Sequence, residues 1–364
     1  PDSVGLQKLF DLPDDVLNGL KLVKDDNESH ISVDSAMLMS IEQQIEQVVL
    51  KCWVTLSGYE EITAKCISDM LLCACTGNKF NGIVVTGKLV LNVEVLFNAL
   101  DYVILMCKSS HELLHKKFGT PPNKDDLESS STEEEYFQML KKEPRNITGK
   151  IMSYLAILRK SDHIAKSGSL SAELLSVITG CAHYLKLLIR LGLYNALKLN
   201  RLYGTTNAIE KFLQLTSEHE AISLLAGDSK TQLSLINSKL TIPASSTDAC
   251  SSCAKSIEKS CLKLDNNRWH VRCFVCSLCK RTIPSIEASE TKFDVIHQSI
   301  VCRECPCEHF DTGFHLVSDL SQLIYLLKIA LFRSRSVMKV DLTKVPRSYL
   351  SDSQSDTDTV DVAQ

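Results

Sequence analysis

The sequence predicts a mainly α protein: an irregular helical bundle, then a small cysteine-rich module of two ribbons, then one C-terminal helix. Three observations carry that expectation. Apolar residues recur at intervals of three and four through most of residues 1–240, the period of an amphipathic helix. Nine of the fifteen cysteines crowd between Cys250 and Cys307, mostly as pairs two residues apart. A strongly apolar stretch ending in cations follows them at 318–340.

The chain has 364 residues, 44% apolar and 23% charged, the composition of a soluble globular protein with room for two or three domains. It begins at Pro1, as a piece of something longer would. No secretory n-region and h-region opens it. The most apolar windows, "LKLLIRLGLY" (185–194) and "LIYLLKIALF" (323–332), run about ten residues and carry charges, against the about 20 a bilayer span needs. They are expected to be buried helices, and no transmembrane segment is expected. A formal charge of −4 gives no global attraction to nucleic acid.

The elements follow in order. In "MLMSIEQQIEQVVLKCW" (37–53), Ile41, Ile45, Val48, Val49 and Cys52 mark one helix face. Stretches 60–76, 88–118, 148–166, 171–199 and 206–226 repeat the pattern. "GIVVTG" (82–87) is the one candidate for a short extended piece. Glycines and prolines punctuate these runs, and no repeat of 34 or 40 residues suggests a solenoid. "PPNKDDLESSSTEEE" (121–135) is polar and acidic enough to be a disordered loop. "TIPASSTDA" (241–249) has linker composition, and 341–364 reads as an acidic, solvated tail. Cys52, Cys66, Cys73, Cys75, Cys107 and Cys181 fall within helical patterns as small buried hydrophobes. Isolated thiols beside a clustered set suggest a reducing compartment, not a disulfide framework.

One catalytic pattern lies in the helical region. "HELLH" (111–115) fits the zincin template, with His111 and His115 on one face and Glu112 as general base. No third ligand follows in register, so it reads as a solvated histidine pair. His183 reads as a hydrogen-bonded core or boundary residue.

The cysteine cluster has stronger grammar. Cys250-x2-Cys253 is followed after sixteen residues by His270-x2-Cys273. Cys276-x2-Cys279 is followed after twenty-two by Cys302-x2-Cys305. Each set supplies two knuckles and four ligands, the composition of a closed tetrahedral zinc site. Two structural Zn2+ ions are expected, with no open position for Lewis-acid chemistry. Cys261 is left over in the first loop. Cys307, with His309, competes with Cys305 for the final ligand place, though the spacing favours Cys305.

This pattern resembles the LIM domain, a tandem pair of zinc fingers. "NNRWHVRCFVCSLCK" (266–280) matches the family's Trp-His entry into the fourth ligand and its aromatic residue between fingers. "FDVIHQSIVCREC" (293–305) is similar to its last hairpin running into the final knuckle. The twenty-two-residue spacer is slightly longer than usual. The resemblance implies a protein-interaction module without catalytic activity. Residues 250–310 carry nine Lys and Arg against seven Asp and Glu. Seven ligand thiolates would outweigh two zinc charges, leaving the module nearly neutral, whereas a phosphate-binding groove should be clearly basic. A zinc-finger nucleic-acid-binding regulator is therefore the alternative, and protein partners the first expectation.

In "SDLSQLIYLLKIALFRSRSVMKV" (318–340), Asp319 is the expected cap, with Gln322 three residues on, and Arg333, Arg335 and Lys339 stand at the cationic end. Its apolar face is expected to pack back on the core. A LIM domain placed after a long helical region and before this helix resembles the central part of fungal LIM-domain-containing Rho GTPase-activating proteins of the Lrg type. That resemblance implies regulation of a Rho-type GTPase in cell-wall integrity and polarised growth. It also implies a cytoplasmic setting with recruitment to growth sites, and a RhoGAP domain lying outside this chain. Arg333 in "FRSRS" reads as a helix C-terminal cation, not as an arginine finger reaching a γ-phosphate.

Overall fold

The computed structural model describes residues 35–118, 127–161, 172–203, 207–218 and 229–342. The expectations for 121–126, for the tail beyond 342, and for the parts of the helical stretches at 162–166, 171, 206 and 219–226 lie outside the described residues. The helices are α1 (Ser35–Thr76), α2 (Lys79–Phe118), α3 (Leu127–Arg159), α4 (Ala172–Tyr203), α5 (Asn207–Thr216), α6 (Ser229–Leu240) and α7 (Asp319–Met338). Between α6 and α7 lie six short strands: β1 (Cys261–Leu264), β2 (Asn267–His270), β3 (Lys292–Asp294), β4 (Ser299–Val301), β5 (Phe310–Asp311) and β6 (His315–Val317). The protein is mainly α, with a two-ribbon module between the bundle and the last helix.

Several elements differ from the sequence expectation. The stretches 37–53 and 60–76 form a single helix, because Gly58 alone does not stop a chain whose next residue, Tyr59, is fully buried. The turn after α1 uses Gly77 at φ +70°, letting the Asn78 amide return to the Cys73 carbonyl at 3.0 Å. The Asn78 side chain then caps α2 through the Asn81 amide at 3.0 Å. "GIVVTG" is helical, inside α2. Its glycines serve close approach: a Cβ on Gly82 would stand 2.7 Å from Leu158, and one on Gly87 2.8 Å from Leu240.

The acidic loop expected over 121–135 is helical from Leu127 onward. Glu133, Glu134 and Glu135 are good helix formers, and the apolar run that follows lets the helix propagate back through them. Pro144 sits within α3, where it has no amide to donate. His183 is exposed, edge-on to Tyr184 with ring centroids 5.3 Å apart, and is not a core residue.

The apolar windows are also longer than the ten-residue runs picked out above. Lys79–Ser109 and Ala172–Arg201 are long and apolar enough to cross a membrane by length and composition. Within the protein, 67% of the first window is buried, as in a core helix.

The chain divides into two compact units. The first comprises Pro1–Lys65, Asn98–Glu143 and His183–Ala221. Its core includes Leu100, Val103, Leu140, Leu188, Leu199 and Phe212, all essentially inaccessible. The Asn200 side chain accepts from the Ala208 amide at 2.9 Å, capping α5. Gly192 lets α4 pass close to α5, since a Cβ there would stand 2.6 Å from Phe212 and 2.7 Å from Leu100.

The second unit comprises Cys66–Phe97, Pro144–Ala182 and Ile222–Gln364. Ile83, Leu89, Ile147, Ile151 and Leu158 fill its helical core, and the Tyr154 hydroxyl donates to the Met70 carbonyl at 2.7 Å. Burial pushes the thiol of Cys73 up to about 11 and that of Cys181 to about 12, so both stay protonated.

Gly192→Val tests the close approach in the first unit. Overpacking against a rigid ring should cost about 1–3 kcal/mol, more than the few tenths gained in helix propensity. Chemical denaturation should therefore show a clear loss of stability; an unchanged midpoint would mean the site has room.

Candidate metal centres

The module's two halves repeat one local plan. Cys250 and Cys276 each open a knuckle whose fifth residue, Ala254 or Lys280, adopts a left-handed conformation, at φ +54° and +60°. The amides of Ala254 and Lys280 return to the carbonyls of Cys250 and Cys276 at 2.8 and 3.0 Å. The amides of Cys250 and Cys276 in turn reach the carbonyls of Lys255 and Arg281. Neither left-handed residue is glycine, so the strain is accepted because the turn aims two thiols at one point.

Hairpins supply the remaining donors. β1 and β2 pair antiparallel around Asp265, with Cys261 opposite His270. This hairpin leads directly into a 3-10 turn, Val271–Cys273. β3 and β4 pair antiparallel around Gln298 and deliver Cys302 and Cys305. The amide of Ser251 bonds to the carbonyl of Arg268 and that of Ser277 to the carbonyl of Ile300, tying each knuckle to its own hairpin. β6 joins β1 as the third strand of the first sheet, and β5 joins β3 in the second.

Two groups of four donors result. Cys250, Cys253, His270 and Cys273 form one, and Cys276, Cys279, Cys302 and Cys305 the other, with all donor atoms of a group within 4.8 Å of one another. A tetrahedral zinc with bonds of about 2.3 Å to sulfur would hold its sulfurs about 3.8 Å apart. Cys276 and Cys305 stand 3.8 Å apart, and Cys279 and Cys302 3.7 Å. His270 Nδ1 lies 3.4 Å from Cys253 Sγ and 3.8 Å from Cys273 Sγ. Its Nε2 lies 3.1 Å from the Ser256 carbonyl, a partner that leaves Nδ1 free to bind. The domain with its two tetrads fits two structural zinc ions.

Electrostatics favour the thiolate at some of these ligands and the thiol at others. The Lys255 amide leads the bonds that hold Cys253 down to about 7. Burial resists ionisation of Cys276, but the amides of Cys302, Cys279 and Leu278 bring it down to about 6. Burial and the neighbouring Cys253 and Cys250 push Cys273 up to about 11. A hydrogen bond with Cys302, ahead of burial, pushes Cys305 up to about 12. Three or four thiols in one small space cannot all ionise without a cation among them.

The space between the centres is aromatic. Trp269, Phe274, Phe293 and Phe314 are buried, with Phe274 and Phe314 centroids 5.0 Å apart and Trp269 and Phe314 5.2 Å. Cys307 stands outside the second tetrad, its Sγ 3.7 Å from the His309 carbonyl. Cys261 is also outside both groups and is fully buried, with burial pushing its thiol up. The "HELLH" pattern lies on α2, but the side chains of His111, Glu112 and His115 lie outside the described residues.

Sequence spacing missed what holds the module to α7. The N-cap of α7 is Ser318, whose hydroxyl accepts from the Ser321 amide at 3.0 Å, and not Asp319. Asp319 instead accepts from the Ser260 amide at 2.7 Å and pairs with Arg145 at 3.1 Å. Gln322 plays no part in a capping box. It is buried against Arg268, Cys261 and the Ile257 carbonyl. Only the spacing of Asp319, Gln322 and Tyr325 along one helix face hinted at this.

Native mass spectrometry should find two zincs per chain, and Cys276→Ser should lose one of them. Chelation should melt the module's β-structure, because structural zinc supplies about 10–16 kcal/mol of folding free energy. A folded module without metal would refute this reading.

Comparison with known proteins gives the module a name. Residues 250–310 match the LIM domain. Over 342 residues, 93% of this chain, the sequence is 34% identical to the Rho-GTPase-activating protein LRG1 of Saccharomyces cerevisiae, and covers 31% of that protein. Over 327 residues, 88% of this chain, it is 28% identical to the Rho-type GTPase-activating protein 1 of Schizosaccharomyces pombe, and covers 26% of it. The chain thus spans less than a third of the length of these relatives. No solved structure matches it significantly. The chain carries a LIM domain and is homologous, over about nine-tenths of its length, to a segment of these fungal Rho GTPase-activating proteins.

Proposed function

We propose that this chain is a non-catalytic interaction and positioning region of a Rho-type GTPase regulator. Cys250, Cys253, His270 and Cys273 hold one structural zinc, and Cys276, Cys279, Cys302 and Cys305 hold the other. The observation that carries this reading is the closure of both tetrads. Each offers four protein donors, so a zinc within it keeps no position for water or substrate. What zinc supplies here is a cross-link between knuckle and hairpin; the chain's own residues do the recognition.

Arg333 does not act as an arginine finger. Its guanidinium pairs with Asp248 at 2.6 Å, and although partial burial opposes ionisation, Arg333 holds the Asp248 carboxyl below its ordinary value. A transition-state charge would have to break that pair. The partner class is a protein, with a Rho-type GTPase or a cell-wall and polarity signalling protein favoured by the homology to Rho regulators. The setting that follows is cytoplasmic, with recruitment to sites of polarised growth.

Crosslinking pull-down with the intact chain should recover protein partners that Cys276→Ser fails to recover. In single-turnover assays the chain should leave GTP hydrolysis by a Rho-type GTPase at its intrinsic rate, with Arg333→Ala indistinguishable. Acceleration that Arg333→Ala abolishes would make the chain catalytic. A steep salt-dependent affinity for duplex DNA or RNA would favour nucleic-acid binding instead.

A further inference from the structure

We propose that the first metal centre, and not the second, governs the seating of α7. This goes beyond the interaction role and rests on the first tetrad's zinc ligation. α7 turns one polar face to the first ribbon. Asp319 accepts from the Ser260 amide at 2.7 Å, and Gln322 donates to the Ile257 carbonyl at 2.9 Å. Tyr325 donates to the Thr247 carbonyl at 3.1 Å, and Arg333 pairs with Asp248. Every one of these ribbon residues lies within the short segment leading into Cys250 or the loop from Cys253 to β1.

Arg268 is the keystone of this contact. It sits on β2, two residues before His270, and is only 8% exposed. Its partners are neutral: the Gln322 side-chain oxygen at 2.8 Å, the Cys261 thiol at 3.8 Å, and the Tyr325 ring at 3.6 Å from the guanidinium carbon. A buried cation satisfied by these groups penalises any shift of α7 along its axis. The link to the metal is one residue long. The Ser256 carbonyl meets His270 Nε2, and the next carbonyl, that of Ile257, accepts from Gln322.

Further contacts of α7 reach the helices of the second unit. Lys328 pairs with Glu94 of α2 at 2.8 Å, Asp319 with Arg145 of α3, and Arg335 donates to Asn237 of α6. Leu331 lies 3.8 Å from where a Cβ on Gly87 would stand. Among the described residues, the second ribbon's polar side-chain contacts run within itself. Arg281 pairs with Glu287, Lys292 donates to the Cys305 carbonyl, and the Ser299 hydroxyl bonds to that of Ser277. It meets the first ribbon through the aromatic core.

Hydrogen exchange on the full chain tests this, with zinc content read by native mass spectrometry. Cys253→Ser and the zinc-retaining Gln322→Ala should each speed exchange in residues 319–338 by at least about tenfold, the effect of one or two lost hydrogen bonds. Cys279→Ser should change it by less than about twofold. Equal acceleration by Cys253→Ser and Cys279→Ser would show that the aromatic core carries the coupling and overturn the proposal. So would full protection of α7 in Gln322→Ala. If Cys253→Ser kept both zincs, the ligand assignment would fail and the proposal with it, whereas loss of the first zinc with α7 still protected would overturn the proposal alone.

Discussion

Everything between Ala249 and Val317 depends on eight side chains converging in two groups of four. The strands are two to four residues long, too short to hold a sheet by their own hydrogen bonds. The core is small, and a module of about sixty residues buries too little apolar surface to be securely stable alone. Coordination overcomes this by closing loops that local propensity would leave open. The left-handed turns at Ala254 and Lys280 have meaning only in that light. They are local costs that place two thiols at one vertex pair, and they are offset only when four donors share a cation.

The module does not end where its last ligand does. β6 completes the first sheet, beyond the 250–310 match to the LIM domain, and runs through Ser318 straight into α7. Phe314, just before β6, fills the aromatic core between the two centres. The residues after the last knuckle are thus part of the folding unit. α7 presents two faces with different physics: Leu323, Leu327 and Leu331 are buried apolar positions, while Asp319, Gln322 and Tyr325 read the first ribbon through directional bonds. Apolar burial supplies affinity without register, whereas the bonds of the buried Arg268 to Gln322 and Cys261 are directional.

Much of this was legible in the sequence, and the parts that were not share a cause. Ligand spacing is a local rule, so the two tetrads could be read from the pairs at Cys250, His270, Cys276 and Cys302 before any coordinates. Helix periodicity is also local, and the bundle and α7 followed from it. The errors came where tertiary contacts override local signals. "GIVVTG" looks extended because its β-branched residues lie between glycines, yet the glycines are there to admit Leu158 and Leu240. The acidic stretch from Leu127 looks disordered until the helix behind it is known. Asp319 looks like a cap, but the hydroxyl one residue earlier takes that role and frees the carboxylate for Ser260 and Arg145. No local rule marks Arg268 as buried, because a charged residue in a strand is ordinarily solvated.

Closure of both centres decides whether either zinc could hold water or substrate. X-ray absorption at the zinc K-edge reads it most directly. With both centres filled, seven sulfurs and one nitrogen should surround the two ions, with sulfur at about 2.3 Å and nitrogen at about 2.0–2.1 Å. A first shell richer in oxygen or nitrogen would mean an open, water-bearing zinc, and would contradict the account.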